Sequence, residues 1–563
     1  GATNGKAFAT GIIDYYGTGQ TVAIGAYNEL LFSGVGGSYT IAADLDIAST
    51  LTVTNGALNI KGTAAVSVDN AVIVNAPGTL TLESDASLIQ TTYTGPNSGN
   101  IIVKRNTTPL LLNDFTYWSS PTSGLQTLNN FSPNTLSDKY YIYDNNWINV
   151  NASATAFAPG IGYAIRSSET TSAVTPTIDT SLQFNGIPNN GIIDVPVTSL
   201  VVNGQPEGLR LVGNPYTSSI DADAFIDANI TSGTGTKTIT GTLYFWTHNH
   251  RISANVYDGD LDYAVYTKAG GVGTLSANSG TGNNMTPTGD IASGQGFFVE
   301  VDVTGNVTFN NDMRVTAANN TNSNFYKQAG TKKTTGDDGV EKNRIWLNLT
   351  NTLKGSQALV GYMATATTDY DPGYDGLVFD DASPFGLYSI LGNDKLAIQA
   401  KTEFLDSDIV PLGYAINVAG NATITLDHVD GLFSYDQNIY LEDKLLNIIH
   451  DIKTAPYNFS SAVGTFNDRF VLRYTDKTLG TGTFELNDNA VVIAKDKNEL
   501  KIKSQEENIK RITVFDVLGR KVFDKDSINS NEFRTSNIVL TNQMVLVKVT
   551  LTNGKVISKK VIY

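Results

Sequence analysis

Five aspartates stand together in residues 369–381, DYDPGYDGLVFDD: Asp369, Asp371, Asp375, Asp380 and Asp381. A hard cation such as Ca²⁺ wants several oxygens at once, and carboxylates clustered on a Pro-Gly turn can supply them. The spacing is not that of an EF-hand, whose twelfth position carries a glutamate. Ca²⁺ is therefore the one cofactor the residues suggest, and a solvated acidic turn is the plainer reading. His248 and His250 lie two apart and could present both imidazoles on one strand face to a metal. No third ligand accompanies them, so a polar loop after a strand is the simpler expectation. Tyr140, Tyr141, Tyr143 and Trp147, in KYYIYDNNWINV, could stack on sugar rings. Alternatively every second one fills the core of a sandwich, which is the commoner fate of strand aromatics.

What is missing matters as much. The chain has 4 histidines, His248, His250, His428 and His450, and no GxSxG elbow, HExxH pair or P-loop. A glycosidase acid pair is formally available, but carboxylates are cheap in a chain with 54 acidic residues. The expectation is a protein that is not an enzyme. The absence of cysteine excludes a disulfide framework, thiolate zinc sites and thiol catalysis. A formal charge of -16 argues against nucleic acid as a partner.

The elements that would position these groups are strands. Gly, Thr, Asn and Tyr are frequent, long amphipathic runs are absent, and short alternating segments recur between turn residues. The fold class expected is all-β, and 563 residues call for several cores. Residues 1–105 repeat short strands separated by Asn-Gly, Asp-Asn and Pro-Gly corners. Leu51, Val53, Leu58, Ile60, Val66, Val68, Val72, Val74, Leu80 and Leu82 fall on period-two faces. Rungs this small must stack on one another, which predicts a right-handed parallel β-helix or a similar solenoid.

Residues 106–320 read as an aromatic-rich β-sandwich domain. Its one clear helix is placed at 219–229, with Ser219 as cap and Ile220, Ala224 and Phe225 as the apolar stripe. GNPY, GTLYFWTHN and IASGQGFFV occur together here, and the segment resembles a domain of secreted flavobacterial proteins. A polar linker at 321–342 precedes a second β-sandwich or jelly-roll domain at 343–478. Residues 440–474 of that domain resemble the sandwich found just before a sorting signal in exported flavobacterial proteins. A Gly/Thr-rich tether occupies 479–489.

Residues 490–563 then reverse the charge. They hold 14 Lys+Arg and 8 Asp+Glu, a net of +6, which leaves -22 for the rest of the chain. Val545, Val547, Val549 and Leu551 alternate with Leu546, Lys548, Thr550 and Thr552, and Asn553-Gly554 signals a tight hairpin. A small β-sandwich is expected. FDVLGRKV (515–522) and VKVTLTNGKVISKKVIY (547–563) resemble the C-terminal sorting domain of type IX secretion substrates in Bacteroidota. The DxxGR turn and the closing hairpin stand in the family's order. Where many such signals carry Gly-x-Tyr before the LVKV strand, this chain has Gln543-Met544-Val545, which fits the type C subclass.

The resemblance implies an address. Asp516, Gly519 and Arg520 match the turn, and Gly554, Lys555, Lys559 and Lys560 match the hairpin. It implies passage by Sec into the periplasm, then recognition by the outer-membrane type IX translocon barrel and a shuttle barrel. The chain starts at Gly1 without an apolar leader, which fits a signal peptide already removed. No apolar run reaches the ~18 residues of a spanning helix. Asp526-Ser527-Ile528 matches the Asp-Ser/Thr-apolar pattern that Bacteroidota use for O-glycosylation, with Ser527 as acceptor. The expectation is a secreted or cell-surface adhesin-like protein, linked to gliding motility, with surface glycans as candidate ligands. A secreted carbohydrate-binding or carbohydrate-cleaving protein is the alternative.

Overall fold

The computed structural model describes residues 6–562 apart from 94, 203–204, 207, 231–237, 250–251, 253–261, 277–285, 317–339, 381, 477–490, 497–498, 505–506, 517–519, 539–543 and 553–555. Most of the expected linker and all of the tether lie outside the described residues. The fold is nearly all β and includes a solenoid of about four turns. The chain forms two compact units, Gly1–Asp476 and Lys477–Tyr563.

The solenoid is built from parallel pairs of very short strands. Leu45 pairs with Val66 and Val66 with Leu88, so one turn takes about 21 residues. Leu51 pairs with Val72 on a second side, and Tyr39, Leu58 and Leu80 line up on a third. All ten period-two residues predicted to point inward are buried. Their partners Thr52, Asn59, Ser67 and Thr81 stay half-buried on the outside. Inner rungs are paired on both sides, so an unpaired edge arises only at the ends of the stack. At the C-terminal end that edge is covered: Ile101–Lys104 pairs in parallel with Thr79–Leu82 and antiparallel with Gln183–Pro188. Trp118, Phe131, Phe157 and Phe184 then close the apolar interior, with Phe131 and Phe184 stacked at 4.5 Å. This is a cap of the kind solenoids need at their ends.

The central region is a five-stranded antiparallel sheet, ordered Gly208–Gly213, Gly296–Val301, Ile239–Trp246, Tyr263–Thr267, Gly270–Val272. Alternation gives it two apolar faces. Val212, Leu243, Phe245, Phe297 and Val299 pack on the helix Ala222–Asn229 through Phe225 and Ile226. Leu211, Tyr244, Tyr263, Val265 and Phe298 pack on Trp346, Leu359, Ala397 and Ile398 of the next sheet. Residues 106–320 and 343–478 thus share a core. The helix begins later than expected. Ile220–Asp221 pairs with Asp290–Ile291 as a short strand, so the helical turn cannot start before Ala222. Asp221, not Ser219, is its cap, accepting from the Ala224 N–H at 2.9 Å.

The third sheet runs through ten strands in order and curls over a single core that draws residues from both its ends. Asp443, in Tyr440–Asp443 near one end, accepts a hydrogen bond from Tyr457 Oη at 2.9 Å, in Tyr457–Ser461 at the other end. Arg469 donates to the same carboxylate and to the Ser460 carbonyl at 3.0 Å. One buried carboxylate therefore latches the two ends of the curl.

The C-terminal unit is the expected small sandwich. Val491–Asp496, Glu499–Ser504 and Glu532–Thr535 form one sheet. Lys521–Ser530, Ile509–Phe515, Met544–Leu551 and Val556–Ile562 form the other. Leu500, Ile502, Ile512, Val514, Val545, Val547, Val549 and Leu551 fill its core.

Candidate functional site

In the DxxGR segment the first and last residues, Asp516 and Arg520, are tied to each other, and residues 517–519 between them lie outside the described residues. Asp516 follows the strand Ile509–Phe515, and its carboxylate accepts from the Arg520 backbone N–H at 2.9 Å and from Arg520 Nε at 2.8 Å. The Asp516 N–H in turn donates to the Arg520 carbonyl at 3.0 Å. The Asp516 side chain is 3% exposed and that of Arg520 74%, so the carboxylate is structural and the guanidinium is presented to solvent. Gly519 lies outside the described residues.

Next to this turn the pairing register lays out one row across four strands. Lys521 pairs with Phe515, Phe515 with Leu546, and Leu546 with Lys560. Lys521, Leu546 and Lys560 are exposed and Phe515 half-buried, so the row forms an outer face with cations flanking two apolar side chains. Lys559 sits on the alternate phase, half-buried, opposite Val547. Gly554 and Lys555 lie outside the described residues. Of the sequence-predicted set, the structure joins Asp516 to Arg520, while Lys560 stands at the far end of the row that begins at Lys521.

Ser527 is exposed, on a bulge of Lys521–Ser530. Arg511 pairs with Asp526 and Ile509 with Ser530, so four residues advance against two. The surplus is absorbed where Ser527 (φ 57) and Asn529 (φ 52) adopt left-handed backbone. The Ser527 N–H donates to its neighbour Asp526 at 2.6 Å.

The aspartate-rich turn spends its carboxylates on backbone. Asp375 is fully buried and accepts from the N–H groups of Asp371 and Ala400, each at 2.7 Å. Asp371 accepts from the Thr367 N–H and hydroxyl, and Asp380 from the Ala382 N–H at 2.9 Å. Asp369 is exposed, and Asp381 lies outside the described residues. Among the described residues no three metal-ligating side chains converge. Burial pushes the Asp375 carboxyl up to about 7.

His248 is buried at left-handed backbone (φ 41), with Nε2 2.9 Å from Thr108 Oγ1 and Nδ1 3.7 Å from Asp114. Burial pulls its imidazole below the ordinary value, with Asp114 opposing. His250 lies outside the described residues. His428 stacks on Trp346 at 4.0 Å and meets Asp427 through Nδ1. A bulge sets Asp427 and His428 together against Trp346.

The aromatics divide. Tyr140 is buried and donates to the Ser132 carbonyl at 2.5 Å. Tyr141 and Tyr143 are half-buried, whereas Trp147 is 45% exposed. Trp147 rests against Tyr143 at 5.0 Å, Phe298 at 5.8 Å and Tyr117 at 5.9 Å. Deeper in the same cluster, Tyr263 and Phe379 stack at 3.8 Å beside a cleft that also touches Tyr388 and Gln357. The cleft's polar groups are engaged internally. Gln357 uses both amide atoms, on the Gly273 N–H and on Asn348, and Tyr388 Oη donates to Asn467. The residues sequence reasoning missed are Asp443, Arg469 and Phe379, whose roles depend on partners far along the chain.

Solenoid, shared sheets and separate basic sandwich define a modular all-β protein. The chain belongs to the DUF8693 family, a domain of unknown function, whose model matches residues 35–474. A second domain of unknown function, DUF8694, matches residues 479–563. The gap between the two matches falls at the division between the two compact units. Comparison with curated proteins gave no match.

Proposed function

We propose that residues 479–563 are an export address and that the unit before them is a surface-acting, adhesin-like body without catalytic activity. The observation that carries this reading is the outer face of the C-terminal unit: Arg520, tied to the buried Asp516, beside the row Lys521, Phe515, Leu546 and Lys560. A cationic face with an apolar centre is what a docking surface needs, since the apolar pair supplies area and the flanking charges supply orientation. Its proposed receptors are the type IX translocon barrel and the shuttle barrel. The protein would reach them from the periplasm and end outside the outer membrane, where a role in gliding motility would be exercised. Ser527 is the proposed glycan acceptor.

The test uses residues 479–563 fused behind a fluorescent reporter with a Sec signal, expressed in a flavobacterium. Reporter outside the cells is the expected result, and the full chain lacking these residues should stay behind the outer membrane. Reporter confined to the periplasm would sink the reading. A second reading, glycan binding by the body, is favoured by one feature: Trp147 is exposed yet braced by four aromatic rings, those of Tyr117, Tyr141, Tyr143 and Phe298. A rigid exposed indole stacks on a sugar at little entropic cost. Trp147→Ala should abolish any glycan-array signal of the full chain; an unchanged signal would move the site elsewhere.

A further inference from the structure

Six arginines are buried among the described residues: Arg105, Arg166, Arg210, Arg314, Arg344 and Arg473. Five have a carboxylate within 4.0 Å, namely Asp85, Glu169, Asp144, Asp430 and Glu442 for Arg105, Arg166, Arg210, Arg344 and Arg473. Arg314 has none. A guanidinium carries five N–H donors. Here Nη2 donates to the Asn189 carbonyl at 2.7 Å, and one face covers the Tyr216 ring at 4.2 Å. Nε and Nη1 are buried and have no acceptor among the described residues. Burial alone pulls this guanidinium down to about 10, opposed only by Tyr216.

A buried charge without a counter-ion is costly by several kcal/mol, and water satisfies its donors without neutralising it. The surroundings favour a negative guest. Ser218 Oγ is also buried without a partner, two residues from Ile220, which bridges to Arg314. Its hydroxyl is a further donor. With Tyr216 on one face and Asn189 on Nη2, Nε and Nη1 are the donors left for a guest.

We propose that Arg314 anchors a small monovalent anion, of halide size, at the seam between the solenoid and the central sheet. The seam runs through the same residues. The Leu88 N–H donates to the Thr217 carbonyl at 3.1 Å, and Thr217 Oγ1 donates to the Leu88 carbonyl at 2.6 Å. Asn190 donates to the Thr92 carbonyl at 3.1 Å, and Tyr216 Oη to the Gly191 carbonyl at 2.6 Å. An anion held by Arg314 therefore ties the last solenoid turn to the sheet behind it, and the body is stiffer in halide.

The probe is chloride or bromide on the full chain. At fixed ionic strength, exchanging gluconate for chloride should raise the midpoint of thermal unfolding by about 2–4 °C. Arg314→Met should remove that dependence. Because the variant could fail to fold, crystals of the unaltered protein grown in bromide provide the second reading. An anomalous peak within hydrogen-bond distance of Arg314 Nε or Nη1 is expected. A water alone at that position, or equal midpoints in gluconate and chloride, overturns the proposal.

Discussion

Asp443 in the body and Asp516 in the C-terminal unit do the same local job. Each is buried, each accepts from backbone N–H just beyond it in the chain (Leu445 and Leu446 for Asp443, Arg520 for Asp516), and each pairs with an arginine. They differ in what the arginine does next. The Arg469 side chain is 10% exposed and reaches across the curled sheet to Ser460. The Arg520 side chain is 74% exposed. The contrast extends to the units around them. Arg344–Asp430 and Arg473–Glu442 are buried in the body. In the C-terminal unit Arg511, Lys521 and Arg534 pair with acids at the surface. Inside, an ion pair constrains which segments meet, because losing one partner strands a charge. Outside it contributes little to stability and leaves the cation available to another molecule.

The largest expected effect breaks the body's side of this comparison. Asp443→Ala removes the acceptor for Arg469, Tyr457 and the turn N–H groups of Leu445 and Leu446. A largely covered guanidinium and a buried phenol lose their partner together. The expected loss is about 3–5 kcal/mol, read as the shift in denaturant midpoint of the full chain. A loss near that of a surface substitution would mean that the curl closes on apolar packing alone.

A second test asks whether burial governs the body's carboxylates without an arginine. Asp375 has backbone partners only, and burial raises its carboxyl from 3.8 to about 7. The folded chain then keeps a proton that the unfolded chain releases. Between roughly pH 4 and 7 the native state binds more protons, so this group's contribution to stability falls as pH rises and levels off above about 7. Asp375→Asn removes that slope. Across the window the variant should gain about 2–4 kcal/mol relative to the unaltered protein, on top of a constant offset from its altered hydrogen bonds. Parallel pH profiles for the two proteins would show that the backbone N–H groups hold Asp375 ionised throughout.

How much of this was readable in the chain follows the range of each interaction. The solenoid's inward residues and the final hairpin's alternation are local patterns, and Val66, Val68, Val545 and Val547 all fall where period two puts them. The basic outer face was legible as composition, and its row of Lys521, Phe515, Leu546 and Lys560 emerges once the register is known. Helix capping was misjudged by two residues because Ile220 and Asp221 are claimed by a strand from residues 290–291. Trp147 could not be separated from Tyr140, since burial depends on what covers the strand. Asp443, Arg469 and Arg314 carried no local signal. Their partners lie at Tyr457, Ser460 and Asn189, and only the closed fold brings them together.

The smallest stability effect sharpens the other side. Arg520→Ala removes a mostly exposed guanidinium but leaves the Asp516 carboxylate its backbone donor, the Arg520-position N–H. The turn should persist, and the loss should stay under about 1 kcal/mol. If the exposed cation serves recognition, export should fall while the protein inside the cell remains folded and protease-resistant. Asp516→Asn provides the reference, because it disturbs the turn itself and should reduce both fold stability and export. The two variants therefore separate a guanidinium that is presented from a carboxylate that is structural. Equal export by the Arg520 variant and the unaltered chain would assign recognition to the lysine row instead, and Lys521 and Lys560 would be the side chains to change next.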